Sequence, residues 1–294
     1  MSLRREMLQV ARVAPKSLGE SASLVRAFLE SQLGPNGGGL DRDGREDLYY
    51  TIFVLAGLQA LQADAPASRI IPYLDGFQDG ESLDFVHLGA LARCRSAVGS
   101  SAASPFAQPL LSRIESFRTT DGGYDSDRGR PHGNPYGCFV ALGAYQDLET
   151  ALPEPLRMVQ CLKFCETPDG AWGNARGLKQ GATPATAAAI TLLHQLGMPI
   201  NTSAAEWLLD QVHPEGGFVA VPGAPLPDLL STATALHALA CMEIELSASV
   251  RERCLDFLDS LWSAEGGFHG HWADDHLDAE YTFYGLLALG HLSI

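Results

Sequence analysis

The densest gathering of reactive side chains lies near the C-terminus, in the run FHGHWADDHLDAEYTFYGLLAL. His269, His271, Asp274, Asp275 and His276 fall within eight residues. Imidazole and carboxylate groups are metal ligands, but no zinc-binding spacing is met. The run reads either as a metal-binding loop or as a solvated lid. Asp278 and Glu280 follow it and open an apolar stretch; Asp47, Asp84 and Asp228 open three earlier ones. Either these aspartates form an acidic rim for a metal or cationic group, or each caps a helix. A cap accepts a hydrogen bond from an N2 or N3 amide and contributes about 1 kcal/mol.

Other side chains fall one turn further in. They are Tyr49, Tyr50, His87, Tyr136, Tyr281 and Tyr284, joined from the glycine-rich turns by Trp172, Phe218, Phe268 and Trp272. Aromatic faces bury hydrocarbon and stabilise cations, so they either line a pocket for an apolar ligand or pack an ordinary core. His87, one turn past Asp84, is a candidate base or hydrogen-bond donor; His237 lies deeper and reads as a core histidine. No G-x-S-x-G elbow, Walker loop, dinucleotide-binding glycine run or H-E-x-x-H is present.

These side chains are placed by a repeat. Turns close at Leu40, Tyr124, Trp172, Phe218 and Phe268, in steps of 84, 48, 46 and 50 residues. The first step is about twice 42, and the degenerate copy DGESLDF at Asp79–Phe85 fills the gap. Repeats of 20–50 residues mark stacked supersecondary units. After each turn comes an apolar stretch, beginning at Asp47, Asp84, Asn134, Ala182, Asp228 and Asp278. A helix apolar on all sides is buried on all sides. Before the turns lie amphipathic stretches at 23–33, 104–117, 155–165, 202–212 and 249–262, the pattern of an outer layer. Six repeats of two helices predict about twelve helices and little strand. An open solenoid needs polar caps, whereas the last repeat ends in FYGLLALGHL, which favours a closed ring. Residues 1–18 form a lead segment and 19–294 a single domain.

The 294 residues carry 46% apolar and 19% charged side chains, with a formal net charge of −15. Such a chain repels nucleic acid and anionic membrane. No 18-residue apolar window predicts a transmembrane helix, and the start lacks the apolar core of a secretory signal. The six cysteines, Cys94, Cys138, Cys161, Cys165, Cys241 and Cys254, are expected reduced and mostly buried, which points to a cytoplasmic location.

The turns and their spacing resemble the protein-prenyltransferase β-subunit and squalene-cyclase superfamily over residues 20–294, with Rab geranylgeranyltransferase and farnesyltransferase β subunits nearest. The resemblance implies an all-α α6/α6 toroid with an isoprenoid, or another apolar small molecule, in a central cavity. The transferases bind zinc through an Asp-x-Cys pair and a His; the matching positions here are Asp228, Leu230 and Tyr281. One ligand of three remains, so no zinc or other cofactor is expected, with magnesium an option if the substrate is a diphosphate. The family's diphosphate-binding His falls on Gln180, and VAVPGAPLPD holds no basic residue, which leaves Arg176 and Lys179 as nearby cations, with Arg128, Arg130 and His132 in the third loop. The cyclases use Asp-x-Asp-Asp, whose middle Asp protonates an alkene or epoxide. Aligned on the helix tail, Asp278-Ala279-Glu280-Tyr281 puts Glu280 in the acid's place, held by Asp278. The resemblance thus nominates Asp228, Asp278, Glu280 and Tyr281 for catalysis. For the ligand it nominates Tyr50, His87, Tyr136, Trp172, Arg176, Lys179, Phe218, Trp272 and Tyr284. The alternative is a non-catalytic toroid that binds a lipid or a protein partner.

Overall fold

The structure, a computed structural model, describes residues 1–99 and 105–294; Ser104, the first residue of the predicted stretch 104–117, lies outside them. In chain order the described helices are α1 (Leu3–Ala11), α2 (Ala14–Leu18), α3 (Ala22–Ser31), α4 (Leu48–Ala60), α5 (Ala67–Asp75), α6 (Phe85–Ala97), α7 (Ala107–Glu115), α8 (Pro135–Asp147), α9 (Pro155–Phe164), α10 (Thr183–Gln195), α11 (Ser203–Leu209), α12 (Leu229–Cys241), α13 (Ala248–Leu261) and α14 (Ala279–Leu292). The only strands among the described residues are two antiparallel dipeptide pairs beside the turns, Gly39–Leu40 with Glu46–Asp47 and Phe218–Val219 with Pro227–Asp228.

The six apolar stretches become α4, α6, α8, α10, α12 and α14, the inner helices. Each starts one residue after the position read from the sequence. Asp47, Asp84, Asn134, Asp228 and Asp278 are their N-caps, each accepting from a main-chain amide two or three residues on. Each inner helix contacts the next, and α14 contacts α4, which closes the ring. The outer helices bury one stripe. In α13 it is Cys254, Phe257, Leu258 and Leu261, at i, i+3, i+4 and i+7. The second outer helix, unassigned in the sequence, is α5, with Pro72 inside it. The architecture is the expected α6/α6 toroid.

The turns repeat in detail. Antiparallel bridges join Leu33 to Gly39, Arg118 to Tyr124, Glu166 to Trp172, Val212 to Phe218 and Trp262 to Phe268. The turn amides of Trp172, Phe218 and Phe268 donate to the hydroxyls of Thr186, Thr232 and Thr282; Gly39 donates likewise to Thr51. Each threonine sits four residues after its N-cap position, buried in the inner helix. Gly266 takes φ +95°, and a Cβ there would lie 2.2 Å from the Leu24 carbonyl oxygen of α3. Only glycine tolerates both the dihedral and the approach, so this turn locks the last repeat to the first.

The lead segment is helical and sits inside the assembly. Leu3, Met7, Leu8 and Ala11 of α1 are buried, and α1 packs on α14, α4 and α8. Leu3 N donates to Gln146 Oε1 (2.8 Å) and Arg4 pairs with Asp147 (3.0 Å) at the end of α8. The C-terminal ends of the inner helices thus form a floor, and α1 closes it.

Candidate active site: a central cavity and the carboxyl at its rim

Because the inner helices are parallel and in register, their second, fifth or sixth, and ninth positions face one another. This stripe lines a cavity of about 210 Å³. At the mouth lie Tyr49, Val86, Tyr136, Pro184 and Leu230; Phe53, Phe139, Phe283 and Tyr284 form the middle; Arg4 and Met7 of α1, with Arg93, Asp147 and His237, form the floor. At about 10–15 Å³ per water-sized group, the space holds on the order of fifteen such groups. Phe53 meets Tyr49 edge-on at 5.0 Å and tilts against Tyr284 at 5.6 Å. The wall is therefore aromatic on the α14–α4 side and built of small residues on the α10 side, where Ala187 and Ala188 line it.

Glu280, on the first turn of α14, is half-buried at the rim; it is outside the lining itself and reaches it through Tyr49. The Tyr49 hydroxyl donates to its Oε1 at 2.5 Å. Burial penalises the carboxylate and pushes its pKa up to about 7; the nearby Asp278 charge pushes the same way, while the Tyr49 hydrogen bond acts against both. The raised pKa keeps a protonated fraction of Glu280 at neutral pH. With Oε1 taken by Tyr49, Oε2 is left to carry the proton. Burial also raises the Tyr49 pKa far above its ordinary value, so Tyr49 remains a neutral donor.

The rim carries paired charges. Arg42 reaches across from the first repeat and binds Asp274 and Asp278, each at 2.8 Å, and its guanidinium covers the Tyr281 ring at 5.3 Å. His87 bridges the caps of α4 and α6, bonding Asp84 through Nδ1 (2.8 Å) and Asp47 through Nε2 (2.9 Å). Its bond to Asp47 and, next, that to Asp84 raise its pKa to about 9 against burial, so it is an imidazolium at neutral pH. It is a clamp between two helices and a poor base. Asp228 binds the amide and hydroxyl of Ser231, both at 2.7 Å.

Of the nominated ligand contacts, Tyr136 and Tyr284 line the cavity. Tyr50 sits at the rim outside the lining. Trp172 and Phe218 are buried between the inner and outer layers, where Trp172 Nε1 donates to the Leu162 carbonyl; their turns aim them away from the cavity, a correction to the sequence expectation. Trp272 is on the outer face, packed on Phe257 and donating to Ser260 Oγ. Arg176 stacks on Phe164 at 4.1 Å in an exposed loop that also carries Lys179 and Gln180, so neither cation faces the cavity. In the histidine-rich loop His269 bonds the His276 main chain and Asp274 is taken by Arg42. The residues do not fit a zinc ion at the position the resemblance gives it. Leu230 offers no donor and turns into the cavity, and both Asp228 oxygens face Ser231. The sequence reading missed Arg42, the threonine ladder and the floor residues from α1; only the threonines, four residues after each cap, left a periodic signal.

A closed ring of helical hairpins around an aromatic cavity defines the α/α toroid proteins. A family model for the prenyltransferase alpha-alpha toroid domain matches residues 14–84 and 185–293, more than half of the chain. The chain belongs to that family. By fold it is similar to the type II terpene cyclase MstE from Scytonema, solved in complex with geranylgeranyl dihydroxybenzoate (TM-score 0.62, 16% identity, 95% of this chain and 97% of that one). It is also similar to Candida albicans protein geranylgeranyltransferase-I complexed with GGPP (TM-score 0.69, 14% identity, 92% and 90%). A protein from Actinoplanes shares the fold at TM-score 0.60, 16% identity, 93% and 98%. No curated protein matches the chain by sequence.

Proposed function

We propose that the protein binds an isoprenoid in the central cavity and that Glu280 protonates it to start a cyclisation. The observation that supports this reading is a half-buried carboxyl of raised pKa, bonded to Tyr49, which lines the cavity. A carboxylic acid of raised pKa is what alkene or epoxide protonation needs near neutrality. In the step, the Glu280 proton adds to the terminal double bond or the epoxide oxygen. Ring closure follows, and the carbocation ends by losing a proton to solvent or a base. Phe53, Phe283 and Tyr284 offer π faces to the cation, and their apolar surface limits the water that could quench it. Tyr49 orients the acid, and Asp278 is a positioning residue that caps α14.

Among the side chains that line the closed end, two guanidinium groups, Arg4 and Arg93, face one carboxylate, Asp147. This polarity favours an isoprenoid whose polar head is anionic, directed to the floor, with its hydrocarbon tail toward Glu280. The absence of donors at Leu230 argues against zinc-activated thiol prenylation.

The test is incubation with farnesyl and geranylgeranyl diphosphate and with a geranylgeranylated hydroxybenzoate. Binding raises the melting temperature by mass action, and wild type forms a product of unchanged mass with fewer double bonds. Glu280→Gln binds and forms none. A thermal shift without any product in wild type would assign the chain to the non-catalytic, lipid-binding class instead.

A further inference from the structure

Away from the mouth, three potential ligands converge where α1 meets the floor of the ring. Glu6 Oε1 lies 3.7 Å from Cys241 Sγ, and Cys241 Sγ lies 3.9 Å from His237 Nε2. All three donor atoms fall within 4.8 Å of one another, the one such cluster among the described residues. Zinc–sulfur bonds of about 2.3 Å and zinc–nitrogen or –oxygen bonds of about 2.0–2.1 Å make the edges of a tetrahedral site about 3.6 Å. The two separations from Cys241 Sγ need to close by only a few tenths of an ångström, and the Glu6–His237 pair, within 4.8 Å, closes as the carboxylate turns onto the ion.

We propose that Glu6, His237 and Cys241 form a binding site for a zinc-class divalent ion that ties α1 to α12 at the floor of the cavity.

The surroundings are arranged as they are around metal ligands. His237 Nδ1 bonds His291 Nε2 at 3.1 Å, which fixes the ring and turns Nε2 toward Cys241 and Glu6; such outer partners orient ligating histidines. The second Glu6 oxygen accepts from Gln195 Nε2, leaving Oε1 for the ion. Burial pushes His237 down to about 4 and His291 down to about 3, so both are neutral and His237 offers a lone pair. Cys241 is pushed up to about 12, first by burial and then by Glu6. A metal would displace the thiol proton to solvent and give the otherwise repelled Glu6–thiolate pair its counter-charge.

The mixed sulfur, nitrogen and oxygen donors suit zinc better than magnesium or calcium. Three protein ligands leave a fourth position open; His194 Nε2 lies 3.5 Å from Glu6 Oε1, and His237 itself lines the cavity. This site is not the one the family resemblance suggests. Asp228 caps the start of α12 and Cys241 ends it, about 20 Å away at 1.5 Å per residue. It also departs from the expectation of a metal-free chain.

The experiment uses the full chain, stripped with a chelator and titrated with Co²⁺, whose thiolate complexes show a sulfur-to-metal charge-transfer band. One Co²⁺ per chain with that band, displaced by Zn²⁺, is expected. Cys241→Ser should abolish the band, and Glu6→Gln should weaken binding at least tenfold. Circular dichroism and the melting temperature of each metal-free variant establish that it is folded. Cys241→Ala serves as a second variant if the serine protein fails that check. No thiolate band, a band that persists without Cys241, or cobalt bound solely by the histidine-rich loop would overturn the proposal. The readout is independent of isoprenoid turnover, so it stands or falls apart from the proposed reaction.

Discussion

At the residue scale, Glu280 and the groups around it carry the proposed chemistry. Its pKa of about 7, against an ordinary 4.5, has two consequences with worked signs. Turnover needs the protonated form, so the rate should fall as pH rises through 7. Its contribution to native stability is fully present below about 4.5 and is lost as pH rises through about 7, because the folded state resists ionisation. At 1.36 kcal/mol per pKa unit, the loss relative to Glu280→Gln is about 3 kcal/mol, measurable as a pH-dependent gap between the two denaturation midpoints. Removing the Tyr49 hydroxyl removes a bond that favours the carboxylate, so Tyr49→Phe should move the pH limb of turnover upward. A downward move would contradict the assignment. His87 behaves in the opposite charge sense: its folded pKa of about 9 exceeds 6.5, so its contribution is complete below 6.5 and disappears as pH rises to 9. His87→Gln should cost of order 1 kcal/mol at pH 6, after screening at a partly exposed site, and little above pH 9.

At the element scale, the repeat is held by a threonine hydroxyl in four of the six inner helices, α4, α10, α12 and α14. Thr232 accepts from Phe218 N and donates to the Asp228 carbonyl. Thr232→Val keeps the volume but strands a buried amide, at about 1–3 kcal/mol, to be read in urea denaturation; no change would mean that the ladder is incidental. The inner helices were legible to the residue because two independent signals coincide, a capping side chain and a run apolar all round. Asp47, Asp228 and Asp278 show this, and even Ala182, which has no capping side chain, marks the start of α10. Helix α5 was hidden, since ASRIIPYLD is short and holds a proline. The turn aromatics were misjudged for a different reason. Spacing locates Trp172 and Phe218 on their turns, but which layer they enter depends on bridges to residues six positions earlier, which composition does not encode.

At the scale of the whole molecule, the ring is closed twice. Gly266 against Leu24 seals the sides, and α1 seals the floor, where Gly290 lets α14 approach the Val10 carbonyl. No local pattern announces the second closure, because Glu6 meets His237 and Cys241 across more than two hundred residues. Deleting residues 1–11 should open the cavity. Burial of Leu3, Met7 and Leu8 is worth about 1.5–3 kcal/mol each, so the truncated chain should melt markedly lower and bind an apolar dye that the full chain excludes. An unchanged melting temperature would mean that α1 does not close the floor in solution. No described helix is long and apolar enough to cross a membrane.

The central claim, proton-initiated chemistry by Glu280 on a bound isoprenoid, is tested most directly in heavy water. The chain is incubated in D₂O with geranylgeranyl diphosphate or its hydroxybenzoate conjugate, and the product is weighed by mass spectrometry. Protonation of the alkene from solvent-exchanged Glu280, followed by loss of a substrate proton, predicts a cyclic product one mass unit heavier than that made in H₂O, and none from Glu280→Gln. A cyclic product without deuterium, or the same labelled product from Glu280→Gln, would contradict it.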